Sequence, residues 1–412
     1  TPLVPTIKSN LTGAADGAVS WTTDVKTRGA VRYGFTSGDY HQIAYPSTAG
    51  GADKAFVKSH TVPLLAAVAG VPIYIRRTDL TENRHFHAAV EETVVFAAVP
   101  DAQPTLAFTS IDVQFGDSHV LRLPSEDKIL IIDAGNWYAG RRETAPEHVM
   151  LWLDDQGIDT IHYALVSHIH GDHWGGFLYN RGTPGIFASY EVETFLDVPA
   201  VSGNEDAYDD IIADVANRGI TRQIIEPGMT DETDPEILGW DPLVNVMVLN
   251  AGSQPAWAGM SYSGDRINND SVMLKISYGL VDLITGGDCE GEAETRVLTH
   301  YRSALDGVEF YKAHHHGRYD GSSLNFVNAM SPRVALIPVA YSAYNDGVDA
   351  AASATSQTLN RLAAVWADVY RFDDASPLGY ENDNRTFWHT TLVTDGVSYE
   401  IHITESIWGG QP

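Results

Sequence analysis

Residues 167–173 read Ser-His-Ile-His-Gly-Asp-His and follow directly on the apolar run Tyr163-Ala164-Leu165-Val166. Three imidazoles and a carboxylate within six positions, at the end of a strand, deliver several nitrogen and oxygen donors to one point. A borderline cation such as zinc requires that donor set. Alternation along the turn would aim His168 and His170 one way and leave Asp172 and His173 to a second position beside it. Two cations ~3.5–4 Å apart could then share a bridging hydroxide. The competing reading, a His-rich surface loop, accounts for the cluster but for none of the donors found farther along the chain.

Length and charge bound the rest. A chain of 412 residues is long for one domain, and 44% hydrophobic residues can fill large cores. We find no run of eighteen apolar residues of the kind a spanning helix needs. A first residue Thr1, without an initiator Met, is expected of a processed chain or a trimmed one. A single cysteine, Cys289, permits no internal disulfide and neither demands nor forbids export. Residues 1–100 carry 9 Lys/Arg against 8 Asp/Glu, a net of +1, which leaves −29 of the total −28 on residues 101–412. Such a surface repels polyanions, so duplex nucleic acid is not the expected partner and small substrates are.

Residues 10 to 98 read as about seven short strands without helical periodicity. Ala18–Thr22 and Ala30–Gly34 are expected as two strands with a turn over Asp24–Gly29, followed by Ser59–Leu65, Val71–Arg77 and Glu92–Ala98. This pattern indicates an all-β sandwich. His85 and His87, two apart, are read as strand residues without a ligand role. Pro100–Pro104 is the expected linker, giving a sandwich over 1–100 and a second unit over 101–412. Beyond it strands alternate with helices. Thr105–Gln114, His119–Leu123 and Lys128–Asp133 are expected strands. Thr144 with Glu147 forms a capping box for a helix to Gln156, and 204–218 is an acidic amphipathic helix. Val244–Asn250, Ser271–Ser277, Leu280–Thr285, Val308–Ala313 and Ser398–Ile403 are further strands, with a helix over Ser356–Ala367.

Five blocks in order carry a family likeness. They are Ile111–Asp117; Ile129–Gly135; the heptad with Trp174-Gly175-Gly176; Asn268–Val272 leading to Thr285-Gly286-Gly287-Asp288; and Lys312-Ala313-His314-His315-His316-Gly317 with Ser322-Ser323. From Phe108 onward the chain resembles the metallo-β-lactamase superfamily. Within it the likeness is to the branch that includes the hydrolase domain of the DNA-uptake protein ComEC/Rec2. The Trp21, Tyr33 and Tyr74 pattern resembles the fibronectin type III-like module that precedes secreted metallophosphatases. The resemblance implies an α+β chain, an αββα sandwich behind an N-terminal all-β immunoglobulin/fibronectin-like sandwich. It also implies a secreted or periplasmic setting.

The metal ligands that the resemblance implies are His168, His170, Asp172, His173, Asp288 and His315, holding zinc, expected as two ions, with manganese as an alternative. Asp288 ends an apolar strand and would bridge the cations. Of the triplet, His315 comes first by position in the family pattern, His316 second, and His314 is a structural neighbour. Asp133 is expected to hydrogen-bond a ligand imidazole, and Asp117 to orient another or to serve a turn. Many relatives carry a further histidine between the heptad and the bridging aspartate. Here none occurs between His173 and His300, which leaves His168, His170, Asp288 and solvent for one ion, with Asn269 or Asp270 as candidate helpers.

The expected function is hydrolysis by a metal-bound hydroxide, most naturally of a phosphodiester. Asp172 would orient the nucleophile, and Tyr319 would serve as proton donor or substrate stacker alongside Trp137 and Trp174. Lys312 and Arg318 flank the triplet as candidate phosphate contacts. Acyl hydrolysis of a lactone or β-lactam is the alternative, since the same nucleophile serves both. A second class of reading is a surface-binding protein with a vestigial metal site. Redox chemistry on the same fold would call for a flavin-type motif, and none follows. Cys289, next to Asp288, is expected to point away from the site.

Overall fold

The computed structural model describes residues 12–13, 17–51, 53–82, 86–113, 116–135, 145–180, 183–203, 205–253, 266–338, 356–372, 383–385 and 389–404. Its order is set by two large sheets lying face to face. The first runs, edge inward, through Thr221–Ile224, Glu191–Asp197, Thr160–Leu165, Ile129–Ile132, His119–Arg122, Leu106–Ser110, His389–Thr394 and Tyr399–Thr404. The second runs Val244–Asn250, Met273–Tyr278, Val281–Thr285, Phe310–Lys312, Val334–Ile337, Asp368–Arg371 and Asp383–Arg385.

Strand periodicity explains why each sheet has helices on its outer face. In Ile129–Ile132 every residue is buried, and successive side chains go to opposite sides. Leu130 and Ile132 join Phe108, Leu165, Val246, Leu274, Leu283 and Phe310 in the core between the sheets. Ile129 and Ile131 pack outward against Val149 and Leu153 of the helix Ala145–Asp155 and against Ile211 and Val215 of Glu205–Arg218. The second sheet is covered in the same way by Gly291–His300, Leu324–Met330 and Ser356–Ala364, through Val297, Phe326 and Leu362. The layers are therefore helix, sheet, sheet, helix. A strand buried on both faces is a continuous apolar run, which is why this part of the pattern was readable. The expected cap Thr144 and the candidate Trp137 lie outside the described residues, as does His85.

The N-terminal strands build a separate core around Trp21, Tyr33, Val62, Ile73, Ile75 and Phe96. One expectation fails here. Asp24–Gly29 is no turn, because Ala18–Gly34 is a single strand of 17 residues. Its first part pairs with Val57–Pro63 and its second with Pro72–Thr81, with a register shift between Thr22 and Thr27. A bulge changes partners without ending the strand, and the polar residues that read as a turn mark that crossing. Gln42–Ala44 pairs antiparallel with Tyr399–Thr404, so the N-terminal strands continue the first large sheet edge to edge. Polar links reinforce this junction: Tyr33 donates to Glu400 Oε2 at 2.6 Å, Lys54 to the Val308 carbonyl at 2.8 Å, and Arg333 to the Asp53 carbonyl at 2.9 Å. Among the described residues no helix is long and apolar enough to cross a membrane.

Candidate metal centre

Four loops meet where the central strands of both sheets end. Asp133 follows Ile129–Ile132, the heptad follows Thr160–Leu165, Asp288 follows Val281–Thr285, and the histidine triplet follows Phe310–Lys312. Within each sheet the two strands concerned run parallel, so their carboxyl ends open on the same rim. Val272 N donates to the Ser167 carbonyl at 2.9 Å and ties the loops across the sheets, and within the second sheet Asp288 N donates to Ser271 Oγ at 3.0 Å.

Backbone strain marks this rim. Asp133, His315 and His316 have φ of 61°, 50° and 52°, a left-handed conformation that non-glycine residues seldom adopt. Such strain persists where surrounding contacts impose it, and it concentrates at functional sites. Gly116, at φ 96°, permits a close approach: a Cβ there would lie 1.9 Å from the Asp172 carbonyl oxygen.

The arrangement brings Asp172, His173, Asp288 and His316 into one cage. Asp288 Oδ2 lies 3.3 Å from His173 Nε2 and 3.2 Å from His316 Nε2, and Asp172 Oδ2 lies 3.9 and 3.7 Å from the same two nitrogens. Donors bound at 2.0–2.1 Å around a tetrahedral cation stand about 3.3 Å apart. His173 Nε2, His316 Nε2 and Asp288 Oδ1 are buried, and among the described residues none makes a hydrogen bond. Buried polar atoms left without hydrogen bonds are costly, and a divalent ion between the two imidazole nitrogens and the Asp288 carboxylate would satisfy the nitrogens. The residues fit the group. His168 also comes within ligand reach of His173 and Asp288. His170, half-buried, presents Nδ1 at 3.1 Å from His168 Nε2.

Electrostatics point the same way. Burial would make Asp288 harder to ionise, yet His316, His173 and His315 hold its carboxyl well below the usual range. Burial likewise opposes charge on His173 and His316, and the carboxylates around them outweigh it, led by Asp288, so both rings are pushed well above the ordinary imidazole value. For His168 burial prevails, with the charge of His173 adding to it, and its pKa falls well below the usual range.

Around the cage stands an orienting shell. Asp133 Oδ2 lies 2.8 Å from His173 Nδ1, while Asp133 also accepts from Ser167 N and Oγ at 2.6 Å each. Asp117, fully buried, accepts from His316 Nδ1 at 3.1 Å and grips Lys312 in an ion pair. Each carboxylate fixes one ring nitrogen and leaves the other for the cage. His314 turns away to Glu294 Oε1 at 2.8 Å. His315 lies between: its Nε2 is 3.7 Å from Asp288 Oδ2, and its Nδ1 faces Asp320 and Glu290.

The other expected residues fall elsewhere. Asp270 accepts from Ser202 N, and Asn269 Oδ1 accepts from Ala293 N at 2.9 Å on the helix Gly291–His300. Lys312 is wholly buried against Asp117 and the Gly287 carbonyl, so it is not a surface contact for a phosphate; its ammonium is already used. Trp174 is buried and donates to the Ile169 carbonyl at 3.0 Å. Tyr319 is 49% exposed on the loop after the triplet. Cys289 packs into the helix-side core. Sequence reading missed Asp320, Glu290 and Glu294, whose only signal was acidity in an acidic chain.

Residues 111–186 match the family model described as the metallo-beta-lactamase superfamily, a segment that contains Asp117, Asp133 and the whole heptad. The match supports placing this segment in that superfamily. No curated protein compared matches the chain. Among solved structures, the chain is similar to a diphosphatase from the PhnP family, with 10% identity, 61% of this chain and 94% of that one covered, and a TM-score of 0.32. It is similar to unliganded yeast PDE1 with 10% identity, coverage of 67% and 90%, and a TM-score of 0.33. A third is the purple acid phosphatase PPD1 from yellow lupin seeds, with 10% identity, coverage of 81% and 57%, and a TM-score of 0.22.

Proposed function

We propose that this protein is a metal-dependent hydrolase whose substrates are small phosphodiesters. The observation that carries the hydrolase reading is the cage of Asp172, His173, Asp288 and His316, with three buried donor atoms free of hydrogen bonds. These four residues would hold one divalent ion, with Asp288 shared with a second position served by His168 and His170. Zinc suits the mixture of imidazole and carboxylate, with manganese as the alternative. When bound, such ions supply Lewis-acid charge and lower the pKa of water.

The chain's own groups do the rest. Asp172 is kept ionised despite its burial because His173 and His316 stand beside it, so it can accept a hydrogen bond from the attacking water and aim it. Asp133 and Asp117 hold His173 and His316 in one tautomer. Tyr319, on the rim, serves as donor to the leaving group. Arg318, 30% exposed though paired with Asp320 at 3.4 Å, is the candidate cation for a substrate phosphate, since Lys312 is buried. The order of the five sequence blocks, with its likeness to the ComEC/Rec2 branch, favours a phosphodiester over an acyl substrate. The net charge of −28 favours a small one. The same charge and the fibronectin-like N-terminal strands suit a secreted or periplasmic protein.

The test is metal content by plasma mass spectrometry, paired with turnover of bis(p-nitrophenyl) phosphate before and after chelation. At least two equivalents of metal with chelator-sensitive diester cleavage are expected. Metal without diester cleavage moves the reading to acyl substrates. Absence of both, even after adding zinc or manganese, overturns it in favour of a binding protein.

A further inference from the structure

His315 Nδ1, Asp320 Oδ1 and Glu290 Oε1 converge on a point separate from the cage. Nδ1 stands 2.9 Å from the aspartate oxygen and 3.5 Å from the glutamate oxygen. Candidate donor atoms of the three residues all lie within 4.8 Å of one another. His315 is 6% exposed and Glu290 4%. Among the described residues neither His315 Nδ1 nor Asp320 Oδ1 has an assigned hydrogen-bond partner; the two face each other as an ion pair at 2.9 Å. Donors that crowd to such distances without hydrogen-bonding are spaced as ligands of one cation are, about 3.3 Å apart.

The surroundings hold the three donors in place. Asn268 Nδ2 donates to Glu290 Oε1 at 2.8 Å. Arg318 pairs with the other oxygen of Asp320, Oδ2, at 3.4 Å, which leaves Oδ1 turned toward His315. Glu290 immediately precedes the helix Gly291–His300, and His315 belongs to the left-handed stretch that also carries His316.

We propose that Glu290, His315 and Asp320 form an auxiliary site for a divalent cation of the zinc or manganese class. One imidazole with two carboxylate oxygens is a donor set both accept. The ion would clamp the strained triplet loop to the helix that starts at Gly291, and so hold His316 at the cage. The site shares no residue with the cage of Asp172, His173, Asp288 and His316, and it stands if the hydrolase reading falls.

The experiment is a manganese titration of the full chain, freed of metal by chelation. Bound ion is counted by electron paramagnetic resonance and by mass spectrometry after desalting. Asp320→Asn and Glu290→Gln are each expected to remove one equivalent and to leave the remaining equivalents with unchanged affinity. His316→Ala is expected to remove a different equivalent and to spare the auxiliary one. Circular dichroism checks that each variant folds, and should Glu290→Gln fail to fold, Asp320→Asn carries the test. A full wild-type count in both carboxylate variants overturns the proposal. So does loss of every equivalent in Asp320→Asn, which would make the two carboxylates orienting partners of a cage ligand.

Discussion

Asp133 Oδ2 stands 2.8 Å from His173 Nδ1, with both side chains wholly buried and the aspartate held in a left-handed conformation by Ser167. This contact fixes which ring nitrogen points into the cage. The same logic recurs for Asp117 and His316, so two carboxylates outside the set of four orient its two imidazoles.

Asp133→Asn therefore keeps the shape and removes the charge. We expect metal affinity to fall about 10–100-fold, with the far-ultraviolet circular dichroism spectrum unchanged. An affinity equal to wild type in a competition with a chromophoric chelator would refute the orienting role.

Lys312 and Asp117 form a fully buried ion pair. Removing one member leaves an uncompensated buried charge, a loss of roughly 3–5 kcal/mol. Lys312→Met should lower the urea midpoint accordingly. Burial alone would raise the Asp117 pKa, and Lys312 is the first of the charges that hold it well below the usual range. The variant should therefore lose more stability at neutral pH than in acid. An equal loss at both would sink the explanation.

Glu309 lies beneath the N-terminal strands beside Lys54 at 3.4 Å. Burial raises its pKa from 4.5 to about 7, and Lys54 only partly offsets this. The folded state thus holds a proton that the unfolded state gives up between pH 4.5 and 7. Stability from this group falls as pH rises through that window, by at most roughly 3 kcal/mol. Glu309→Gln should raise the melting temperature relative to wild type at pH 8 and much less at pH 5. Identical shifts at the two values would contradict it.

Gly29 faces the stacked pair Trp21 and His60, whose ring centroids are 4.8 Å apart. A Cβ at this position would lie 2.6 Å from Trp21 Cζ2 and 2.7 Å from His60 Nδ1. Gly29→Ala should destabilise the protein by about 1–3 kcal/mol through overpacking. Chemical denaturation followed by tryptophan fluorescence would measure it, and a neutral result would show that the pair can shift.

Local pattern carried a large part of this protein. The apolar run before the heptad, the run before Asp288 and the amphipathic 204–218 segment are periodic within a few residues. Strand or helix period, and the donors at each strand end, follow from neighbours in the chain. What the sequence determined was thus the elements of the two-sheet core and the chemical character of its rim. The tertiary structure alone decided which donors face one another. His314, His315 and His316 are identical in type, and their separate directions follow from a left-handed backbone imposed by Glu294, Asp288 and Asp117, residues 20 to 199 positions away. Lys312 reads as a surface cation until Asp117 closes on it, and Gln42–Ala44 reads as part of a separate unit until Tyr399–Thr404 pairs with it. Such approaches depend on packing between segments far apart in the chain, and no local period encodes them.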